Sequence, residues 1–349
     1  MKITSGYDMQ RYSVLDFSIV DKNKVKNHIT TIHKEKYDEP IREIRIATEF
    51  FYFTKGTTGR NKSCNLDIYS TNSDGTNLLP MTEEVLKNRL FYALEYLESV
   101  CGIKICLKDI RLYTGEVNVN FYIDESFEKY KKLLDGISAS IKNHNNDKYG
   151  ILPYEKTGFT VSSDNGVRAY KVYDKKDEML RHDGVDIAQE VLRFEQETNY
   201  RKRKDVSLTG IKESEIKEEI YKNMILPYLN DLKKRQKSLD SLYQEFCLEY
   251  KKISKNARVH FIERAFSSDI IGAVDILEPL YCLYRNTPDK NKSRMKVQLN
   301  KLYSELCNKH NFKKYDNHRR IIDIISSLGK EVPQELNLQF TFLNKIEDI

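Results

Sequence analysis

The sequence predicts an α+β fold, in which an antiparallel sheet is covered by helices on one side and followed by a mostly helical C-terminal region. Two observations predict it. In the first 200 residues, strand-like runs that alternate polar and apolar residues are separated by two long amphipathic segments. Beyond Gly210 only two further glycines occur, and apolar residues recur at helical spacing. We therefore expect two domains, residues 1–208 and 209–349.

Turn-forming residues separate most of the predicted strands in the first domain. The strands are predicted over residues 42–54, 64–70, 103–112, 116–123, 158–163, 167–174 and 191–198. Thr114 and Gly115 stand between the third and fourth of these segments. We therefore expect a hairpin turn at this pair.

Helical spacing of apolar residues predicts two helices in the first domain and six in the second. The first helix begins after Thr82, a favoured N-cap residue, and the second spans residues 127–141. The others are predicted over residues 216–238, 242–253, 259–265, 270–284, 293–307 and 318–328. Residues 336–343 are predicted as a short final strand.

The composition argues against membrane and secreted proteins. No run approaches the roughly 18 apolar residues that span a bilayer, and the polar start MKITSGYDMQRY is not a signal peptide. Six scattered cysteines form no CxxC pair, which favours reduced thiols in a cytoplasmic protein. The formal net charge of +6 favours a polyanionic partner over an acidic one.

Several predicted strands carry polar residues along one face. Asn118 lies on one strand, Lys171 and Tyr173 on a second, and Glu195 on a third. Asp67 lies on the polar face of a fourth. Side chains alternate across a strand, so neighbouring strands would gather these groups on one open surface. A solvated sheet surface produces the same alternation, so periodicity leaves both interpretations open.

Two segments resemble the core of the filamentous-phage gene II/X replication initiators. They read VRAYKVYDKKDEML and EVLRFEQETNYRKRK. In that family a strand ending in a Tyr-x-Lys segment carries the nucleophilic tyrosine, and a Leu/Val-Arg-Phe/Ile-Glu strand follows. Upstream, CNLDIYSTNSDGTNLLP is similar to the family's acidic strand, and EVNVNFYID takes the place of a strand that usually reads Arg-x-Asp. The order and spacing of these four blocks carry the resemblance.

The resemblance implies initiation of rolling-circle replication, in which one DNA strand is nicked and rejoined at an origin through a 5′-phosphotyrosyl intermediate. Tyr173 is then the nucleophile, and Lys171 and Lys175 are expected beside it on the same strand face. The implied ligands for Mg²⁺ or Mn²⁺ are Glu195, Asp67 and Asn118. The implied partners are origin DNA, both duplex and single-stranded, and a host helicase and polymerase.

The sequence departs from the family pattern at the expected metal site. Asn118 stands where the family strand has aspartate, and an amide oxygen binds Mg²⁺ more weakly than a carboxylate does. None of the seven histidines forms a His-x-His pair, so the motif of the His-hydrophobe-His nicking enzymes is not matched. Tyr170 is the rival nucleophile, and Glu195 is alternatively a salt-bridge partner of Arg193 or a lysine.

Two basic segments are candidate DNA contacts. The first is the run Arg201, Lys202, Arg203 and Lys204. The second is residues 292–320, with nine basic residues against two acidic ones, including Arg319 and Arg320. Such bases would contact phosphates at an origin, although a charge run is also typical of a solvated helix face.

Two other functions fit the same sequence. A non-catalytic origin-binding or copy-control protein would keep the fold without turnover, and Asn118 in place of aspartate favours it. A conjugative relaxase of related fold would perform the same chemistry at a transfer origin.

Overall fold

The computed structural model describes residues 1–32, 41–56, 63–71, 77–144, 150–154, 157–162, 167–201, 206–250, 254–267, 277–310, 317–334 and 336–337. The chain forms two compact units. One combines Lys2–Asp124 with Lys148–Ile220, and the other combines Met1 with Glu125–Asp147 and Tyr221–Ile349. The domain boundary after residue 208 stays a prediction, and residues 209–220 group with the sheet in this division.

Twelve strands lie within the described residues. They are β1 Lys2–Val14, β2 Ser18–Ile19, β3 Ile29–Ile32, β4 Ile41–Ala47, β5 Phe51–Gly56, β6 Cys64–Tyr69, β7 Ile103–Lys104, β8 Ile110–Ile123, β9 Gly150–Tyr154, β10 Gly158–Ser162, β11 Arg168–Asp174 and β12 Glu190–Asn199. Ten of them form one sheet in the order β3-β4-β5-β6-β1-β8-β12-β11-β10-β9, and β2 pairs with β7 separately. Every neighbouring pair is antiparallel, so the predicted α+β class with an antiparallel sheet is confirmed.

Ten α-helices lie within the described residues. They are α1 Lys22–Lys26, α2 Glu83–Ser99, α3 Lys131–His144, α4 Lys175–His182, α5 Ile216–Ile220, α6 Leu226–Glu249, α7 Lys255–Ser267, α8 Leu277–Arg285, α9 Lys292–His310 and α10 Asn317–Ser327. The Thr82 hydroxyl accepts a hydrogen bond from the Val85 backbone N–H, which confirms the predicted cap of α2. The C-terminal region is helical as predicted, and most of the predicted strand 336–343 lies outside the described residues. None of the described helices is long and apolar enough to cross a membrane.

The strand β1 lies in the middle of the sheet, although its sequence did not predict a strand. A β-bulge at Asp8 explains this, because Tyr7 pairs with Val117 and Met9 with Glu116, which leaves Asp8 as the extra residue. The bulge shifts the alternation of buried residues by one position along β1. The strand therefore lacks the uninterrupted period of two on which strand prediction depends.

The predicted hairpin turn at Thr114 and Gly115 is wrong. The strand β8 runs straight through both residues, and a second irregularity at Tyr113 shifts its alternation. Gly115 lies within the strand, where a Cβ would meet the end of the Gln10 side chain, 2.5 Å from its Oε1. An interrupted alternation therefore resembled two strands joined by a turn.

Three other predicted boundaries are corrected. The single strand over residues 42–54 is the antiparallel pair β4 and β5, joined at Thr48, whose hydroxyl accepts hydrogen bonds from the N–H groups of Phe50 and Phe51. Lys175 is the first residue of α4, because the Asp174 carboxylate caps this helix by accepting from the Asp177 N–H at 3.2 Å. The predicted break between residues 238 and 242 is absent, since α6 is continuous there.

The two faces of the sheet differ in character. On the apolar face, Phe121 of β8 packs edge-on against Phe194 of β12 with ring centroids 5.2 Å apart. Helix α2 covers the β5 side of this face, where Phe51 lies 5.7 Å from the Tyr96 ring. The opposite, polar face carries the predicted residues Tyr173, Lys171, Glu195 and Asn118.

Candidate active site on the polar face

Three rows of directly paired residues cross the polar face from β11 through β12 to β8. The first row is Tyr173–Arg193–Asn120, the second is Lys171–Glu195–Asn118, and the third is Ala169–Glu197–Glu116. Directly paired residues share a face, so the register brings the predicted residues Tyr173, Lys171, Glu195 and Asn118 together. The sequence-based expectation of a common polar face is correct for these four.

Glu195 lies at the centre of this arrangement and is buried. The Tyr173 hydroxyl donates to its Oε2 at 3.0 Å, and the Lys171 ammonium donates to its Oε1 at 2.6 Å. Lys171 also donates to Oε1 of Glu116 at 3.3 Å. The Glu195 carboxylate therefore bridges Tyr173, the candidate nucleophile, and the Lys171 ammonium.

The β1 bulge adds a third carboxylate to the site. Asp8, Glu116 and Glu195 each offer a carboxylate oxygen within 4.8 Å of the other two, and we refer to them as the carboxylate cluster. Asp8 accepts from the Ser70 hydroxyl at 2.6 Å and from Nη1 of Arg193 at 3.2 Å. The bulge turns Asp8 toward the polar face, as bulges do at many active sites.

Arg193 is fully buried and ties a covering segment, residues 77–81, to the polar face. Its Nη2 donates to the backbone carbonyls of Asn77 and Leu78 at 2.7 and 2.9 Å, and its Nε donates to Oδ1 of Asn120 at 2.8 Å. The segment approaches because Gly6 has no side chain, since a Cβ there would lie 2.1 Å from the Met81 carbonyl oxygen. The expected open surface is therefore closed around Arg193.

Asn118 is the one member of the second row whose side chain has no hydrogen bond. It is fully buried, and both its amide oxygen and its amide nitrogen lack a partner. A buried amide left in this way costs about 1–3 kcal/mol, so it normally has a partner. Its position beside Glu195 fits an oxygen ligand to a hard cation such as Mg²⁺ or Mn²⁺.

Two other predicted residues, Asp67 and Lys175, have their charge partners outside the carboxylate cluster. Asp67 is on the polar face but accepts two hydrogen bonds from Arg11, at 2.8 and 2.7 Å, so its charge is already paired. Lys175 is fully buried, belongs to α4 and not to the strand that carries Tyr173, and pairs with Glu178 and Asn77.

The predicted DNA contacts have different exposures. Arg201 and Arg319 are exposed, whereas Arg320 is buried and donates to Oε2 of Glu125 at 2.7 Å, so the predicted phosphate contact by Arg320 does not fit. The predicted contacts Lys202, Arg203 and Lys204 lie outside the described residues.

The electrostatics of the site oppose ionisation of Tyr173. Burial, followed by the charge of Glu195, raises the pKa of Tyr173 well above 10, and Arg193 lowers it in part. Burial alone would lower the pKa of Lys171, but Glu195 and Glu116 outweigh it and raise this pKa. A tyrosinate therefore needs further positive charge near Glu195.

The carboxyl of Glu116 provides a test of these electrostatics in metal-free protein. Burial, followed by the charge of Glu195, raises its pKa to about 8, against about 4.3 in an unfolded chain. Between these values the folded protein keeps a proton that the unfolded chain loses. We therefore expect the free energy of unfolding to fall as pH rises from about 5 to about 8, by up to about 1.4 kcal/mol per pH unit from this group.

Urea denaturation from pH 5 to 9 in chelator measures this slope. Glu116→Gln is expected to flatten it, whereas Glu98→Gln, a change at a half-exposed glutamate on α2, is expected to keep the wild-type slope. An unchanged slope in Glu116→Gln would contradict the assigned environment.

Three residues of the site, Asp8, Glu116 and Arg193, were not among the sequence-based candidates. Asp8 was missed because its strand was not predicted. The signal that could have revealed the strand is the spacing of the buried residues Tyr7, Tyr12 and Val14, which fits a strand once one inserted residue is allowed. Arg193 was considered only as a partner of Glu195. Its position between two apolar residues of β12 did place it on the correct face.

The comparisons with known proteins do not assign a family. No family model matches the sequence, and no curated protein sequence matches it. Among solved structures, Methanococcus jannaschii TBP aligns with a TM-score of 0.30 and 10% sequence identity, over 66% of this chain and 99% of that chain. A likeness at this TM-score carries no argument about fold or function.

Proposed function

We propose that this chain is a metal-dependent DNA strand transferase, which nicks and rejoins one strand at an origin to initiate rolling-circle replication. The observation that carries the proposal is the 3.0 Å hydrogen bond from the Tyr173 hydroxyl to Glu195, a member of the carboxylate cluster. The sequence resemblance to the gene II/X initiators supports DNA as the substrate.

Glu195 is placed to take the phenolic proton from Tyr173. Its Oε2 would accept that proton directly, while its Oε1 accepts a hydrogen bond from Lys171. Arg193 contributes a permanent positive charge that favours the tyrosinate. Proton removal and charge stabilisation thus come from two residues adjacent on the polar face.

Asp8, Glu116 and Glu195, together with the amide oxygen of Asn118, would hold the divalent cation. The donor set fits because hard oxygen ligands suit Mg²⁺ and Mn²⁺, and because the buried amide oxygen of Asn118 has no hydrogen-bond partner. Bound there, the cation supplies Lewis acidity at a phosphate oxygen. Asp67, which Arg11 neutralises, is left out of the proposed ligand set.

The bond changes balance without a further reactant. The Tyr173 oxygen attacks phosphorus, its proton passes to Glu195, and the bond from phosphorus to the 3′ oxygen breaks. Glu195 gives up this proton again, and the leaving 3′ oxygen takes up one proton and becomes a hydroxyl that primes synthesis, so no proton is gained or lost. Attack by a 3′-hydroxyl on the phosphotyrosine reverses these steps, so rejoining needs no ATP.

A second candidate function is favoured by the burial of Tyr173. Tyr173 is 6% exposed, so DNA cannot reach its hydroxyl in this conformation. A DNA-binding protein without strand transfer would keep the Tyr173, Glu195 and Arg193 contacts as a structural network. Catalysis, in contrast, requires the Tyr173 hydroxyl to become accessible to DNA.

Removal of the metal separates these two functions. Wild-type protein is incubated with supercoiled DNA that carries its origin, in Mg²⁺, in Mn²⁺ or in EDTA. We expect nicked circles and an adduct stable in denaturing detergent with either metal, and loss of both products in EDTA, because the site then lacks the charge that tyrosinate formation needs.

The nicked ends report the polarity of the reaction. The 3′ end is expected to be extended by a polymerase, and the 5′ end is expected to stay blocked until the protein is digested. Supercoiled DNA that lacks the origin is the control. Binding of origin DNA without any adduct in either metal would favour the second candidate and contradict the first.

A further inference from the structure

The Lys171 ammonium lies where a cation bound to the carboxylate cluster would lie. Its Nζ is 2.6 Å from Oε1 of Glu195 and 3.3 Å from Oε1 of Glu116, and the Lys171 side chain is 20% exposed. It therefore contacts two of the three carboxylates at once. The third, Asp8, is neutralised by Arg193 instead.

Besides Glu195 and Glu116, Lys171 has a third carboxylate partner, which lies at the solvent-exposed rim of the site. Oε2 of Glu197 lies 3.7 Å from the Lys171 Nζ and its side chain is 37% exposed, whereas the Glu195 side chain is 3% exposed. The lysine stem is long and flexible, so its ammonium can exchange a buried carboxylate for an exposed one without moving the backbone. The Lys171 ammonium can therefore leave the carboxylate cluster by moving toward Glu197.

Asn118 shows that Lys171 does not complete the site. The amide of Asn118 is directly paired in register with Glu195, is fully buried and has no partner in the presence of the ammonium. An ammonium offers three donors and no fixed geometry, whereas Mg²⁺ or Mn²⁺ collects several oxygen ligands around one point. A divalent cation would therefore satisfy an oxygen that Lys171 leaves unpartnered.

We propose that the Lys171 ammonium is the resident cation of the carboxylate cluster and that a divalent metal ion binds by displacing it toward Glu197. The inference rests on the metal site of the proposed function. Two cations cannot share the same buried carboxylates without strong repulsion, so one leaves when the other binds. Lys171 thereby offsets the negative charge of the carboxylate cluster in the metal-free protein, and metal binding releases this lysine at the rim of the site.

Chemical labelling of the wild-type protein tests the displacement. Reductive methylation is followed lysine by lysine with peptide mass spectrometry, in EDTA and in saturating Mg²⁺. We expect the rate at Lys171 to rise several-fold with Mg²⁺, because its ammonium moves from buried partners to solvent. Lys176, which pairs with Glu190 at 3.2 Å and is 28% exposed, is expected to keep its rate.

Metal affinity tests the competition directly. Mn²⁺ binding to metal-free protein is measured by calorimetry and by electron paramagnetic resonance, without DNA. Lys171→Met removes the competing charge and is expected to tighten Mn²⁺ binding by about tenfold or more. Lys176→Met makes the same change in net charge outside the cluster and is expected to bind Mn²⁺ as the wild type does.

Three results would overturn the inference. They are an unchanged or slower labelling rate at Lys171 in Mg²⁺, equal or weaker Mn²⁺ binding by Lys171→Met, and no Mn²⁺ binding by either protein. The labelling result decides the matter if Lys171→Met does not fold. Metal-dependent adduct formation without release of Lys171 would overturn this inference alone, whereas release of Lys171 without any adduct would overturn only the strand-transfer proposal.

Discussion

Replacing Tyr173 with phenylalanine is expected to abolish the covalent protein–DNA adduct, with a loss on the order of 10⁴-fold or more in nicking rate. The hydroxyl is the attacking atom in the proposed reaction, and its proton is donated to Glu195 at 3.0 Å. Phenylalanine keeps the buried ring, so the loss of stability is expected to stay near about 1 kcal/mol. Adduct yield and urea denaturation are measured on the same preparation.

Tyr170 provides the matched control for this variant. It lies on the same strand, is also buried and faces the opposite side of the sheet, where it pairs with Gln196. Tyr170→Phe removes one buried hydroxyl without touching the carboxylate cluster and is expected to keep the adduct. Adduct formation by Tyr173→Phe, or its selective loss in Tyr170→Phe, would show that the nucleophile has been misassigned.

Replacing Arg193 with methionine is expected to lower the free energy of unfolding by about 3–5 kcal/mol. The guanidinium is fully buried and donates to Asn120, to Asp8 and to the carbonyl groups of the covering segment. Methionine fills part of the volume but leaves the Asp8 carboxylate without its cation. The cost comes mainly from that buried, uncompensated charge.

Urea denaturation in EDTA at pH 7 measures this effect. Arg181→Met is the control, because Arg181 is 45% exposed and pairs with Asp177 at 2.9 Å on the same helix. A pair of this kind contributes about 0.3–0.5 kcal/mol, so only a small change is expected. Equal losses for the two variants would mean that Arg193 does not hold the site together.

The polar face was predictable because side-chain alternation survives in β11 and β12. Lys171 and Tyr173 flank the apolar Val172 on one strand, and Glu195 follows the apolar Phe194 on the next, so local periodicity alone assigned each to a face. The antiparallel register then brought them together. For these residues the face predicted from local alternation is the face on which the strand pairing places them.

The bulges in β1 and β8 could not be predicted from the local sequence pattern. In β1 the inserted residue Asp8 shifts the alternation, and in β8 the shift at Tyr113 made one strand resemble a hairpin. A bulge is stabilised by the partner strand and leaves little signature in its own residues. The residue that completes the carboxylate cluster was therefore the hardest to find.

Pairing partners decided which acidic residue joins the cluster. Asp67 and Asp8 are both aspartates on strands that reach the polar face, but Arg11 binds Asp67 through two hydrogen bonds. The covering segment was equally hidden, since Arg193 binds its backbone carbonyls from a distance of more than 110 residues along the chain. Neither contact is visible in the local composition.

The chemical identity of the DNA-linked residue tests the central claim most directly. The wild-type adduct formed in Mg²⁺ is digested with nuclease and protease, and the peptide that carries a nucleotide is sequenced by mass spectrometry. The account predicts one modified peptide, with the nucleotide phosphate on the Tyr173 oxygen. A nucleotide on any other residue would contradict it.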